Sequence, residues 1–139
     1  MNEFLHPRLK QDCIMIGRFP LSHLLLMNDS QYPWFILVPE RDGISEIYQL
    51  AENDREQLQR ESCWLAEAMV ELFRPDKLNI AAIGNLVPQL HIHHVARYQI
   101  DIAWPAPIWG KFAAVPYVEQ EAHRRVTEMR RRLHQELVA

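Results

Sequence analysis

The sequence predicts an α+β fold, an antiparallel sheet of about five strands with a long central helix and a second, C-terminal helix. Three observations carry that prediction. Short runs of branched and aromatic residues bounded by turn residues lie on either side of a stretch whose apolar residues recur every three or four positions, and a charged helical pattern closes the chain. Cys13 to Arg18 is short and partly apolar, Phe19-Pro20-Leu21 breaks it, and Ser22 to Met27 resumes, so two adjacent strands are expected. Asn28-Asp29-Ser30-Gln31 reads as a turn. Trp34 to Val38 reads as a strand opened by Pro33 and closed by Pro39, and these strands are expected to pair antiparallel.

From Ser45 to Leu72 the period changes. Ile47 and Leu50 form a lead-in, then Leu58, Leu65, Ala68, Met69 and Leu72 recur at helical spacing, with Trp64 and Phe73 widening the apolar face. Pro75 stops this helix. Leu78 to Ile83 reads as a strand that leads through Gly84-Asn85-Leu86-Val87-Pro88 into a strand beginning near Gln89, a hairpin signal. Trp104-Pro105-Ala106-Pro107-Ile108-Trp109-Gly110 has no period and reads as an ordered loop that covers something, although its aromatics fit a core equally well. Pro116 to about Leu137 is the last helix, with Glu119 and Glu121 in its first turn and Arg130, Arg131 and Arg132 near its end, as the helix dipole favours.

Composition bounds the function. A chain of 139 residues that is 48% hydrophobic suits one domain, residues 1–139, with a core over about 5–110 and the last helix over about 116–137. A net charge of −3 argues against a general nucleic-acid binder, which needs a basic surplus. With no leader pattern and no apolar run approaching a membrane span, the chain is expected to be cytoplasmic. Cys13 and Cys63 are too sparse for a disulfide framework, and Cys63 is expected in the core.

Chemistry concentrates at Gln89 to Arg97. Three of seven histidines fall within four positions there. On a strand, Gln89, His91 and His93 share one face while Leu90, Ile92 and His94 share the other. Imidazoles on one face suit a nucleophile, an acid or base, or a metal site. A cation held by His91, His93 and His123 is the metal reading, but no carboxylate stands at ligand spacing around the strand, and no metal is expected.

The run Gln89-Leu90-His91-Ile92-His93-His94-Val95 resembles the signature of the histidine-triad family, three histidines at alternate positions separated and followed by apolar residues. Asn28-Asp29 and the Pro-bounded strand Tyr32 to Pro39, Gly84-Asn85, Ala96-Arg97, and Trp104 to Gly110 fall in the family's order, the last similar to a bacterial diadenosine tetraphosphate hydrolase-like branch. The resemblance implies a homodimeric nucleotidyl hydrolase in which His91 attacks an α-phosphate. By the same resemblance, His93 positions the phosphate or the nucleophile's other nitrogen. Backbone N–H groups near Gly84, Asn85 and His91 meet phosphate oxygens. Asn28, or failing that Asp29, bonds the ribose, and Leu26 packs on the base. No cofactor is implied, although a divalent cation can accompany the substrate.

Three positions depart from the family pattern. Gln89 replaces the first histidine; it can donate a hydrogen bond to a leaving group but cannot carry a proton. Two alternatives follow, a nucleotide-binding protein with weak or lost catalysis and a nucleotidyltransferase. His94 stands where an apolar residue is usual and is expected in the core or an interface. Trp34-Phe35 stands where many members carry a histidine, a change expected to alter packing more than chemistry.

Overall fold

The computed structural model describes residues 3–139, and its elements follow from the sequence with few surprises. Strands β1 (Cys13–Arg18), β2 (Ser22–Met27), β3 (Trp34–Pro39), β4 (Lys77–Ala81) and β5 (Ile92–Arg97) form one antiparallel sheet in the order β1-β2-β3-β5-β4. Helix α2 (Glu52–Phe73) follows a single 3-10 turn at Ile47–Gln49, and α3 (Glu119–Arg132) lies near the end. Glu52 and Asp54 sit in the first turn of α2, where the helix dipole favours them. Its C-cap, Arg74, is left-handed at φ 47°, and Pro75 prevents continuation.

Burial divides the sheet into two faces by strand alternation. Leu24, Leu26, Phe35, Leu37, Ile92 and Ala96 point to one side and pack against Leu58, Leu65, Ala68 and Met69 of α2 and Val126 and Met129 of α3. Leu25, Trp34, Ile36, Val38 and Val95 point to the other, where Leu5, Leu9, Val87, Ala103 and Ile108 cover them. One layer is therefore helical. The opposite layer is built from loops and a short helix that the periodicity does not reveal, α1 (Pro7–Asp12). Pro7 opens α1, and His6 caps it by accepting the Arg8 N–H on Nδ1 at 3.0 Å.

Several expected boundaries move. Strand β5 starts at Ile92, so Gln89 and His91 belong to its lead-in, and the connection from β4 is the irregular segment 82–91 in place of a tight turn. Gly84 explains part of this: it sits at φ +66°, and a Cβ there would lie 3.2 Å from the Val87 carbonyl. The last helix spans Glu119–Arg132, shorter than expected at both ends, because Val118 is its cap and Leu133 already leaves helical geometry. Cys63 is exposed and not in the core; it lies on the side of α2 opposite the buried stripe of Leu58, Glu61, Leu65, Ala68 and Met69. No helix among the described residues is long and apolar enough to cross a membrane.

Candidate active site

A cavity of about 570 Å³ opens on the loop-covered face, within the usual size of a small-molecule site. Its floor is β3, β5 and the residue leading into β5, through Trp34, Ile36, His93 and His91. Segment 82–91 supplies Ile83, Gly84, Asn85 and Val87; α1 supplies Arg8, Leu9 and Asp12; and the loop after β5 supplies Ile108, Trp109 and Gly110.

Three imidazoles on and before β5 have their tautomers set by their partners. The His91 Nδ1–H donates to the Gln89 carbonyl at 2.7 Å, so Nε2 keeps a lone pair. Both His91 and His93 line the cavity, and their ring centroids lie 5.0 Å apart in an edge-to-face arrangement. Burial, the largest cause, lowers the His91 pKa; the His6 charge acts the same way, and the bond to Gln89 opposes both. At neutral pH the ring is a neutral base with a free nitrogen.

His93 is fixed in the opposite sense. The Trp34 indole N–H donates to His93 Nδ1 at 3.0 Å, which places the proton of the neutral ring on Nε2. Burial, followed by the neighbouring His91 and His94, pushes the His93 pKa down to about 3. His93 therefore offers a neutral N–H and no transferable proton near pH 7. Of the two roles the resemblance implied for His93, a direct hold on His91 Nδ1 is taken instead by the Gln89 carbonyl. Trp34 thus sets the His93 tautomer as well as packing beside it.

His94 faces the helices, as its alternation with His91 and His93 requires. It is fully buried, its Nδ1–H donates to the Ile92 carbonyl at 3.2 Å, and its Nε2 accepts from the Ser62 hydroxyl of α2 at 2.7 Å. Burial takes its pKa down to about 4. Together these contacts make it a core residue that ties the histidine strand to α2.

The remaining candidates separate. Gly84 and Asn85 line the cavity beside His91. Asp29 lines it as well, with Oδ1 accepting from the Gln31 backbone, the Gln31 side chain and the Val115 N–H. Asn28 does not line it; its Oδ1 accepts the Tyr117 N–H at 2.9 Å, which docks the approach to α3. Leu26 cannot pack on a base, because alternation turns it into the helical core with 0% exposure; Met27, one residue on, reaches the cavity. Gln89 leaves the shared face because it precedes the strand, where period two no longer applies, and its amide bonds residues 4–6. His123 is exposed on α3, and no group of three metal-ligating side chains converges among the described residues.

The covering loop is anchored from beneath. Arg97, 1% exposed, donates from Nε and Nη2 to Asp101 at 2.8 and 3.0 Å and from Nη1 to Asn79 at 2.8 Å. Asp101 also accepts the backbone N–H groups of Tyr98, Ala103 and Trp104, closing the turn that leads to Trp109. The sequence does not separate a covering role from a core role for the aromatic residues of that stretch, and it shows neither its anchor nor Arg8, Leu9 and Asp12, since α1 is too short to show a period.

The HIT domain family model matches residues 8–100. A histidine triad protein from Marinobacter aquaeolei VT8 is 48% identical, covers 95% of this chain and 96% of its own, and superposes with a TM-score of 0.92. Histidine triad proteins from Bradyrhizobium japonicum (45% identical, 92% and 96% covered, TM-score 0.90) and Sinorhizobium meliloti 1021 (39%, 93% and 96%, TM-score 0.91) are similar over the same extent. No curated protein matches the chain.

Proposed function

Because this chain belongs to the HIT domain family, we propose that it is a nucleotidyl hydrolase of the diadenosine tetraphosphate hydrolase-like kind, working through a nucleotidyl-histidine on His91. The observation that carries the reading is the His91 tautomer: Nδ1–H is committed to the Gln89 carbonyl, and the lone pair on Nε2 belongs to a ring lining the cavity. In the first step Nε2 forms a bond to the α-phosphorus, and the bond from phosphorus to the leaving group breaks with its electron pair. In the second, a water oxygen bonds to phosphorus, the N–P bond breaks back to neutral imidazole, and the water's proton passes to solvent. His93 Nε2–H and the backbone around Gly84 and Asn85 hold phosphate oxygens while charge shifts.

Leaving-group chemistry narrows the substrate. Neither neutral His93 nor Gln89 delivers a proton, which favours a leaving group that departs as a stable anion, the phosphoanhydride of a dinucleoside polyphosphate, over an amine. Among the described residues, Arg8 is the one lysine or arginine lining the cavity, against the carboxylates of Asp12 and Asp29. A polyphosphate is therefore expected to arrive with a divalent cation, which neutralises it before it meets those carboxylates. We further propose that the protein is cytoplasmic, binds nucleotide and no nucleic acid, and acts as a homodimer, which size-exclusion chromatography tests directly.

The experiment is intact-protein mass spectrometry after mixing with diadenosine tetraphosphate and magnesium, quenched rapidly at alkaline pH, with chromatography of the nucleotides. An adenylyl adduct on His91, with AMP and ATP accumulating, is expected; His91→Gly should lose both, and full turnover by that variant would sink the assignment. A second reading, a nucleotide-binding protein with lost catalysis, draws on the missing proton donor. It predicts AMP binding without adduct or product.

A further inference from the structure

At the triad's first position stands an amide that turns away from the cavity. Gln89 Oε1 accepts the backbone N–H of His6 at 2.9 Å, and Nε2 donates to the Phe4 carbonyl at 3.0 Å. A carboxamide presents the same donor and acceptor as a peptide group, so these two bonds hold residues 4–6 much as a neighbouring strand would. Directly after that segment, His6 caps α1, and α1 carries Arg8, Leu9 and Asp12 into the cavity wall. On its other side the backbone carbonyl of Gln89 accepts the His91 Nδ1–H. A single residue therefore touches the anchoring of one wall and the aim of the nucleophile, while its own side chain is absent from the cavity lining.

We propose that Gln89 is a positioning residue: its carboxamide fastens residues 4–12 to the lead-in of β5, setting the α1 wall of the nucleotide site and steadying the carbonyl that orients His91. This rests on reading the cavity as a nucleotide site. A histidine at this position could not do the same work. A neutral imidazole has one donor and one acceptor, but they sit on opposite sides of a ring and cannot face one peptide edge. Phe4 stacks on His23 at 5.7 Å between ring centres, and Leu5 and Leu9 are buried on the loop-covered face. Removing the amide loosens the segment without releasing it, so the variants needed for a test should fold.

The test compares the full-length protein with Gln89→Ala and Gln89→His in three measurements. Hydrogen exchange reports the amides of residues 4–12. Fluorescence of the cavity tryptophans reports AMP affinity. Steady-state kinetics compare a nitrophenyl nucleotide ester with an alkylamine nucleoside phosphoramidate. The proposal expects faster exchange at His6 in both variants and AMP affinity and kcat/KM lower by about tenfold, as two neutral hydrogen bonds imply. The kinetic loss should be the same for both leaving groups. Unchanged exchange would overturn it, because Gln89 would then not anchor residues 4–12; so would a loss confined to kcat for the alkylamine, or a gain there in Gln89→His, either of which means that residue 89 acts on the leaving group itself. If the wild type turns over neither substrate, the hydrolase reading fails, while exchange and AMP affinity still decide the role of Gln89.

Discussion

Replacing Trp34 with phenylalanine removes one N–H from the candidate site and little else that is polar. The indole donates to His93 Nδ1 at 3.0 Å, both residues are under 10% exposed, and solvent cannot substitute for the lost donor. Leaving a buried acceptor unsatisfied costs about 1–3 kcal/mol, and the smaller ring beside Tyr32 and Trp109 adds about 1 kcal/mol of lost packing. The sum of about 3 kcal/mol corresponds to a fall of about 12 °C in Tm for a domain of this size. Without the indole, nothing holds the His93 proton on Nε2; a shift to Nδ1 withdraws the neutral donor from the cavity and should lower kcat by about tenfold, the worth of one such bond. Nitrogen-15 NMR of labelled histidine reads the tautomer, and thermal denaturation reads the stability. A wild-type His93 protonated on Nδ1, or a Trp34→Phe variant with unchanged Tm and kcat, would refute the reasoning.

Acid should unfold the protein through its buried imidazoles. Burial holds His93 at about 3 and His94 at about 4 in the folded state, so below about pH 6.5 the unfolded chain takes up protons that the folded chain refuses. Stability from these two groups is full above about pH 6.5 and falls on acidification toward about pH 4, by up to about 2.7 kcal/mol per pH unit. Urea midpoints measured across that window check this, and His94→Leu should halve their share of the slope; a midpoint that stays constant on acidification from neutrality to about pH 4.5 contradicts it. Asp101→Asn strips the countercharge from buried Arg97 and should cost about 3–5 kcal/mol. Because the same carboxylate ties down the loop that carries Trp109, AMP affinity should weaken too, as fluorescence titration would reveal.

Much of this is legible in the sequence because its signals are periodic. The alternation around His91 to His94 separates a cavity face from a core face, and the stripe from Leu58 to Leu72 marks the helix that covers the core. What stays hidden lies outside any period. Helix α1 is shorter than two turns, so no repeat announces that Arg8 and Asp12 reach the site. Leu26 is easily mistaken for a base contact because the parity of β2 depends on its register with β3, where it pairs with Phe35 on the helical side. Gln89 looks like a failed catalytic residue when strand parity is extended past the start of β5. The partner that explains it, residues 4–6, is more than eighty positions away.

The adjacent pair His93 and His94 creates an ambiguity that the fold has to resolve. A strand slipped by one residue would still show an imidazole to each side of the sheet, so hydrophobic patterning alone discriminates weakly between the two pairings at this point. The chemistry of the neighbours breaks the tie. On one side the indole of Trp34 needs an acceptor from the ring opposite Ile36; on the other the Ser62 hydroxyl needs one from the ring opposite Phe35. Slipped one way, Ile92 takes the place of the ring that Trp34 needs; slipped the other way, Val95 takes the place of the ring that Ser62 needs, and either lost partner adds about 1–3 kcal/mol against the slip. Only the native register gives Trp34 and Ser62 an imidazole each, so the two donors together act as an address label for the strand.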